Sequence, residues 1–170
     1  MMSFFSACSP SLTPFTNEIA SKNDFTDDEL KKIQFYLSER LVLRRELGSS
    51  SSQIIGGKVK MIDGRRTEEI VIPKGTPGVV IYAPSSDRLA VSFEAGENAP
   101  YLVFGPNPRM RGRYALRARN WNRSTGEVQY GGEFFTVNYN SSFTYLLVNM
   151  KKIRSNDVKR RKVDGRTLDN

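Results

Sequence analysis

Apolar positions in this sequence follow one helical stretch and then a long series of short runs punctuated by turn residues. Thr26-Asp27-Asp28-Glu29 has the form of a capping box, with Thr26 as N-cap, and Phe25 and Leu30 stand at the spacing of a hydrophobic staple. Asp27, Asp28 and Glu29 place negative charge on the positive end of a helix dipole. Leu30, Ile33, Phe35, Tyr36 and Leu37 are mostly spaced for one face, so the pattern predicts a helix from about Asp27 to about Leu37. The period then changes. Leu41, Leu43, Arg45 and Leu47 alternate with Val42, Arg44 and Glu46, which predicts a strand, and the run from Gly48 to Ser52 predicts a flexible turn.

The remainder reads as β-structure. Ile54 to Ile62 leads into Asp63-Gly64, a strong hairpin signal, and the chain returns over Thr67 to Ile72. Further strands are predicted around Val79–Tyr82, Leu89–Phe93, Tyr101–Phe104 and Tyr114–Arg119. Glu127–Tyr130, Gly131-Gly132 and Glu133–Val137 make a second two-residue hairpin, and Phe143–Met150 closes the series. About eight or nine strands joined by short turns mean antiparallel pairing. The expected fold is mainly β: a small antiparallel barrel or sandwich with one N-terminal helix capping an end. Residues 1–25 read as a leader or tether, 26–150 as a single β-rich domain, and 151–170 as a basic C-terminal tail.

Composition narrows the chemistry. The 170 residues include one Cys and no His, with 26 Lys+Arg against 18 Asp+Glu, a net charge of +8. His-dependent triads, His zinc sites and the usual neutral-pH proton shuttle are therefore excluded. One Cys excludes a disulfide scaffold, and no apolar run approaches the roughly 18–20 residues of a spanning helix. No Cys/His metal-ligand spacing and no phosphate-cradling glycine loop is present, so no metal or other cofactor is expected. The charge is uneven: residues 151–170 carry eight Lys+Arg against three Asp+Glu. The run Lys159-Arg160-Arg161-Lys162 in that tail is a candidate polyanion-binding arm, or a solvated terminus.

Three further features bear on function. Cys8 follows Phe4-Phe5-Ser6-Ala7, which resembles a lipobox, where a signal peptidase cuts before a Cys that becomes lipidated. Arg109, Arg111 and Arg113 lie in a loop close in sequence to Tyr114 and Trp121; basic groups interleaved with aromatics can hold a phosphate backbone and stack bases. They can equally blunt a sheet edge. Glu68, Glu69, Glu94, Glu97, Glu127 and Glu133 are available for acid–base chemistry. Glu68 and Glu69, as strand neighbours, point to opposite faces, and all six are expected to be solvated.

With Cys8, the helix and the β series in view, the chain resembles a family of small envelope lipoproteins of the Bacteroidota that has no assigned activity. The likeness runs from about Cys8 to about Met150, and is most specific in TPFT (Thr13–Thr16), LKKIQFYLSERLVLRREL (Leu30–Leu47), EEIVIPKGTPGVV (Glu68–Val80), LAVSFEAGE (Leu89–Glu97), FGPNP (Phe104–Pro108) and WNRSTGEVQYGGEFF (Trp121–Phe135). It implies export, a lipid on Cys8 and a domain on the envelope. Ser9-Pro10-Ser11-Leu12 replaces the acidic residues such bacteria tend to place after the Cys for surface display, which points to the periplasmic side of the outer membrane. The expected function is thus a lipid-anchored, non-catalytic module whose β-domain binds another envelope protein or a cell-wall polymer. The alternative is a cytoplasmic barrel with Met1 as its true start, binding nucleic acid through Arg109–Arg113 and the basic tail.

Overall fold

The computed structural model describes residues 11–49, 54–85 and 87–157. Twelve strands among them form two antiparallel sheets, a sandwich rather than a closed barrel. The larger sheet runs in the order Thr13–Pro14 (β1), Leu146–Val148 (β12), Gln34–Leu37 (β2), Pro77–Ser85 (β6), Arg88–Ser92 (β7), Leu102–Asn107 (β8) and Arg113–Leu116 (β9). The smaller one runs Thr125–Tyr130 (β10), Glu133–Asn138 (β11), Leu41–Glu46 (β3), Arg65–Ile72 (β5) and Lys58–Ile62 (β4). The two hairpin signals hold. Asp63 and Gly64 have φ of 48° and 74°, and Gly131 and Gly132 have 59° and 85°, the pair of positive values that a tight turn between twisted strands requires.

The helix predicted over Asp27–Leu37 is much shorter. It spans Asp27–Leu30 (α2), with the capping box formed in both directions: Thr26 Oγ1 accepts from the Glu29 N–H at 3.3 Å, and Glu29 Oε2 accepts from the Thr26 N–H at 2.9 Å. The Lys32 and Ile33 N–H groups then bond three residues back, to Glu29 and Leu30, and the chain leaves the helix. From Ile33 onward the burial pattern has period two. Ile33, Phe35 and Leu37 are buried while Gln34 and Tyr36 between them are half-exposed, and the aromatic-rich run becomes strand β2. Thr26→Ala removes the cap of this single-turn helix. It is expected to lower stability by about 1 kcal/mol, read as a shift in the urea midpoint at unchanged slope.

The segment read as a tether is built into the domain from Thr13 onward. Thr13 and Pro14 pair with Val148 and Leu147, and Phe15 is 0 % exposed at the centre of the core. Asn17–Asn23 (α1) follows, with Thr16 Oγ1 accepting from the Ile19 N–H and Asp24 ending it at φ 45°. The tail likewise begins inside the fold. Met150–Asp157 is a helix (α3), and Ile153 is buried in the same core cluster.

The core lies between the sheets, around Phe15, Phe35, Leu37, Leu43, Leu89 and Phe104. The larger sheet curls. The Tyr114 N–H donates to Phe15 O (3.0 Å) and the Leu116 N–H to Thr144 O (2.9 Å), so the outer edge of β9 is paired. Strand β10 is covered similarly by the two-way Arg119–Glu127 backbone bridge at 2.9 and 3.0 Å.

Candidate binding cleft

Three turns meet beside the β8–β9 end of the larger sheet. The first is the arginine loop. Asn107 caps a tight helical turn, Pro108–Met110, by accepting the Arg109 N–H on its side chain (3.0 Å) and the Gly112 N–H on its carbonyl (2.9 Å). Arg111 then takes a left-handed backbone, φ 55°. The second turn is Asn122–Thr125, where Asn122 Oδ1 accepts from the Ser124 and Thr125 N–H groups at 2.8 and 2.7 Å. This turn fixes the preceding Trp121. The third is the short helical stretch Tyr139–Phe143, tied to the second by the Tyr139 N–H on Ser124 O at 2.8 Å.

Between these turns lies a cleft of about 350 Å³. Arg109 and Arg117 line it together with Trp121, Tyr139 and Phe143. The rings run edge to face, Trp121 to Tyr139 at 6.1 Å and Tyr139 to Phe143 at 5.7 Å, with interplanar angles of 86° and 84°. Tyr139 is 41 % exposed and Phe143 50 %. The indole lies flat over Gly126, where a Cβ would stand 2.4 Å from the ring. Neither Arg109 nor Arg117 forms an ion pair among the described residues.

Of the three arginines singled out in the sequence, Arg109 lines the cleft and Arg111 and Arg113 do not. The Arg113 guanidinium lies over the Tyr145 ring at 4.7 Å. Tyr114 is fully buried beside Phe15, with ring centroids 4.8 Å apart, and burial raises its hydroxyl pKa. Arg119 is engaged by Glu127 and covers Phe134 at 3.8 Å. Cys8 and the run Lys159-Arg160-Arg161-Lys162 lie outside the described residues. Tyr139, Phe143 and Arg117 were not singled out in the sequence. Tyr139 falls between predicted elements and Phe143 at the start of the predicted closing strand, which begins only at Leu146, and ring exposure leaves no sequence signal.

Glu68 and Glu69 are not solvated. Glu68 is 0 % exposed; Arg45 Nη2 donates to it at 2.6 Å, and the Ile55 and Gly57 N–H groups at 2.6 and 3.1 Å. Desolvation raises its carboxyl pKa, but these donors outweigh it and the net direction is downward. Glu69 is also buried. Hydrogen bonds from Lys60 (2.7 Å) and Arg44 (2.9 Å) hold its carboxyl below the usual range. Glu133 shares Arg45 with Glu68, at 2.8 Å. Glu127 is held by Arg119, and Glu97 is exposed.

A second hollow, of about 540 Å³, contains Glu69 and Glu94. Glu94 accepts a short hydrogen bond from the buried Tyr130 hydroxyl. Burial, and then Glu94, push that hydroxyl's pKa upward. Glu94 thus accepts in a tie across the sandwich, and Glu69 in ties from the neighbouring strands of its own sheet. Among the described residues no group of three or more His, Cys, Asp or Glu side chains is placed to hold a metal, and no helix is long and apolar enough to cross a membrane. Compared with protein-family models, curated proteins and solved structures, the chain matches none.

Proposed function

We propose that this chain is a binding module of the cell envelope, held at the outer membrane by a lipid on Cys8. The cleft between Arg109 and the Trp121–Tyr139–Phe143 rings is its binding surface, for another envelope protein or a cell-wall polymer. The observation that carries the binding role is the contiguous exposed aromatic patch rimmed by cations. Grouped rings left half in water beside arginines are the mark of a surface used for recognition. The anchoring role rests on the lipobox-like Phe5-Ser6-Ala7-Cys8 and on the family resemblance. Only four residues separate Cys8 from Thr13, the first residue of β1. A lipid there would tie the sandwich within roughly 15–20 Å of the bilayer surface, the reach of an extended chain of that length. A diacylated Cys with a further amide-linked chain anchors stably, where one chain binds marginally.

The nucleic-acid alternative receives less support. Phosphate tracking needs a run of available cations. Arg113 is stacked on Tyr145 and Arg119 is paired with Glu127, which leaves Arg109 and Arg117 at the cleft and Arg111 exposed beside it, while the basic tail lies outside the described residues.

Intact-mass analysis of the protein from native membranes, with and without an inhibitor of the lipoprotein signal peptidase, tests the anchor. The expected result is a chain beginning at Cys8 with its acyl groups, lost on inhibition. An unmodified chain beginning at Met1 in the soluble fraction would overturn it.

A further inference from the structure

We infer that the cleft takes a carboxylate-bearing sugar unit of an acidic glycan. This rests on the reading of the cleft as a binding surface and deepens it by naming the ligand. Three observations on the site converge. First, the rings meet at near right angles, 86° and 84°, so they form the walls of a corner and not a flat platform. Successive nucleic-acid bases stack on faces presented in series. A corner suits a single saturated ring, whose apolar C–H face lies on one aromatic wall while its edge meets the next. Second, the charge is small and local. Arg109 and Arg117 are the two cations of the lining, which matches one carboxylate or two better than a polyphosphate track. Third, the volume of about 350 Å³ stands at the lower end of the range for small-ligand sites, which fits one or two sugar units and not a long strand.

The cleft is also built to hold its main wall still. Gly126 gives Trp121 a flat seat, since a Cβ there would stand 2.4 Å from the indole. Asn122 fixes the turn next to it. Gly126→Ala therefore displaces the indole while leaving every charge in place. Trp121 is a wall of the site, and Gly126 is a positioning residue that acts through it.

The test uses the full chain and four probes: polygalacturonate, a neutral glucan, purified murein sacculi and oligo(dT). Affinity is measured by calorimetry or, for the sacculi, by co-sedimentation. The expected result is binding to polygalacturonate, to sacculi or to both, with neither the neutral glucan nor oligo(dT) bound comparably. Trp121→Ala and Gly126→Ala should each weaken binding by about tenfold or more. Arg109→Gln and Arg117→Gln should each weaken it and flatten a salt dependence already limited to about two counterions. Arg65→Gln, the same charge change on the β4–β5 hairpin, should leave it unaltered. The arginine variants lie on the surface and keep the test valid if a Trp121 variant fails to fold. Binding to sacculi alone would identify the wall polymer as the source of the carboxylate, and binding to polygalacturonate alone would identify a free acidic polysaccharide. Equal binding of the neutral glucan, tighter and steeply salt-dependent binding of oligo(dT), or no binding of either acidic glycan overturns the assignment. A chain that carries lipid on Cys8 yet binds no acidic glycan overturns this inference alone and leaves the envelope reading standing.

Discussion

Arg45→Ala is expected to lower the free energy of unfolding by about 3–5 kcal/mol, because it leaves a carboxylate buried without its cation. Glu68 is 0 % exposed and sits on β5 between the Ile55–Gly57 stretch and β3. Its Oε2 depends on Arg45, while Oε1 keeps the two backbone donors. Arg45 also bonds Glu133 and lies 5.3 Å from the Phe135 ring, so its loss removes packing along with charge. Adding Glu68→Gln to Arg45→Ala should recover part of the loss, since the neutral amide can still accept from Ile55 or Gly57 without a buried charge. The urea midpoint at constant slope measures both. A change under about 1 kcal/mol for Arg45→Ala would show that the pair contributes little to the fold.

The same network sets an acid limb. Glu68 and Glu69 have carboxyl pKa values held below their unfolded values. The folded state thus binds fewer protons than the unfolded state in that range, and the stabilisation is complete above the ordinary carboxylate pKa of about 4.3. It is lost as pH falls through the folded values. Wild-type stability should therefore drop steeply below about pH 4.5, and Arg45→Ala should show a shallower drop over the same interval. Parallel profiles would show that the limb arises elsewhere.

Where the sequence was legible, the signal was local and strong. Asp63-Gly64 and Gly131-Gly132 demand positive φ at adjacent residues, and few other arrangements of a chain satisfy that. The capping box at Thr26 works within four residues and is formed in full. Errors arose where two periods fit the same residues. Leu30, Ile33 and Leu37 fit a helical face, and Ile33, Phe35 and Leu37 fit an alternating strand equally well; burial of Phe35 beneath Phe15, with ring centroids 5.2 Å apart, decides for the strand. Burial of Glu68 and Glu69 was hidden for another reason. Strand β5 is flanked on both sides, by β3 and β4, and cations from those neighbours cross to its acids. Gly57 permits the Ile55–Gly57 stretch to lie on β5, since a Cβ there would stand 2.7 Å from the Glu68 side chain. In the cleft, Arg109 and Trp121 were visible as basic and aromatic neighbours in sequence. Their meeting with Tyr139 and Phe143 depends on loops that only the sheet order brings together.

Phe15→Ala is expected to cost about 3–5 kcal/mol, as much as any single core truncation in this domain. The residue stands only seven positions after Cys8, in a stretch whose Ser, Thr and Pro content suggests a linker. In the fold it is 0 % exposed and packs edge-on to Phe35 at 5.2 Å and against Tyr114 at 4.8 Å. Its backbone bridges β12 and β9: its N–H donates to Leu146 O (2.9 Å) and its carbonyl accepts from the Tyr114 N–H (3.0 Å). Truncation opens a cavity among aromatic rings that two strands hold in place, so collapse around it is limited. Phe15→Leu keeps most of the volume and should cost well under half as much. Thermal and urea unfolding measure the series. If Phe15→Ala is neutral, the segment from Thr13 is a tether after all. If it is severe, the tether ends no later than Leu12, and the lipid proposed at Cys8 would hold the sandwich close against the membrane. Orientation of the cleft would then depend on the short segment between Cys8 and β1. Lengthening the Ser9–Leu12 spacer should accordingly alter access to the ligand in cells without altering affinity in solution.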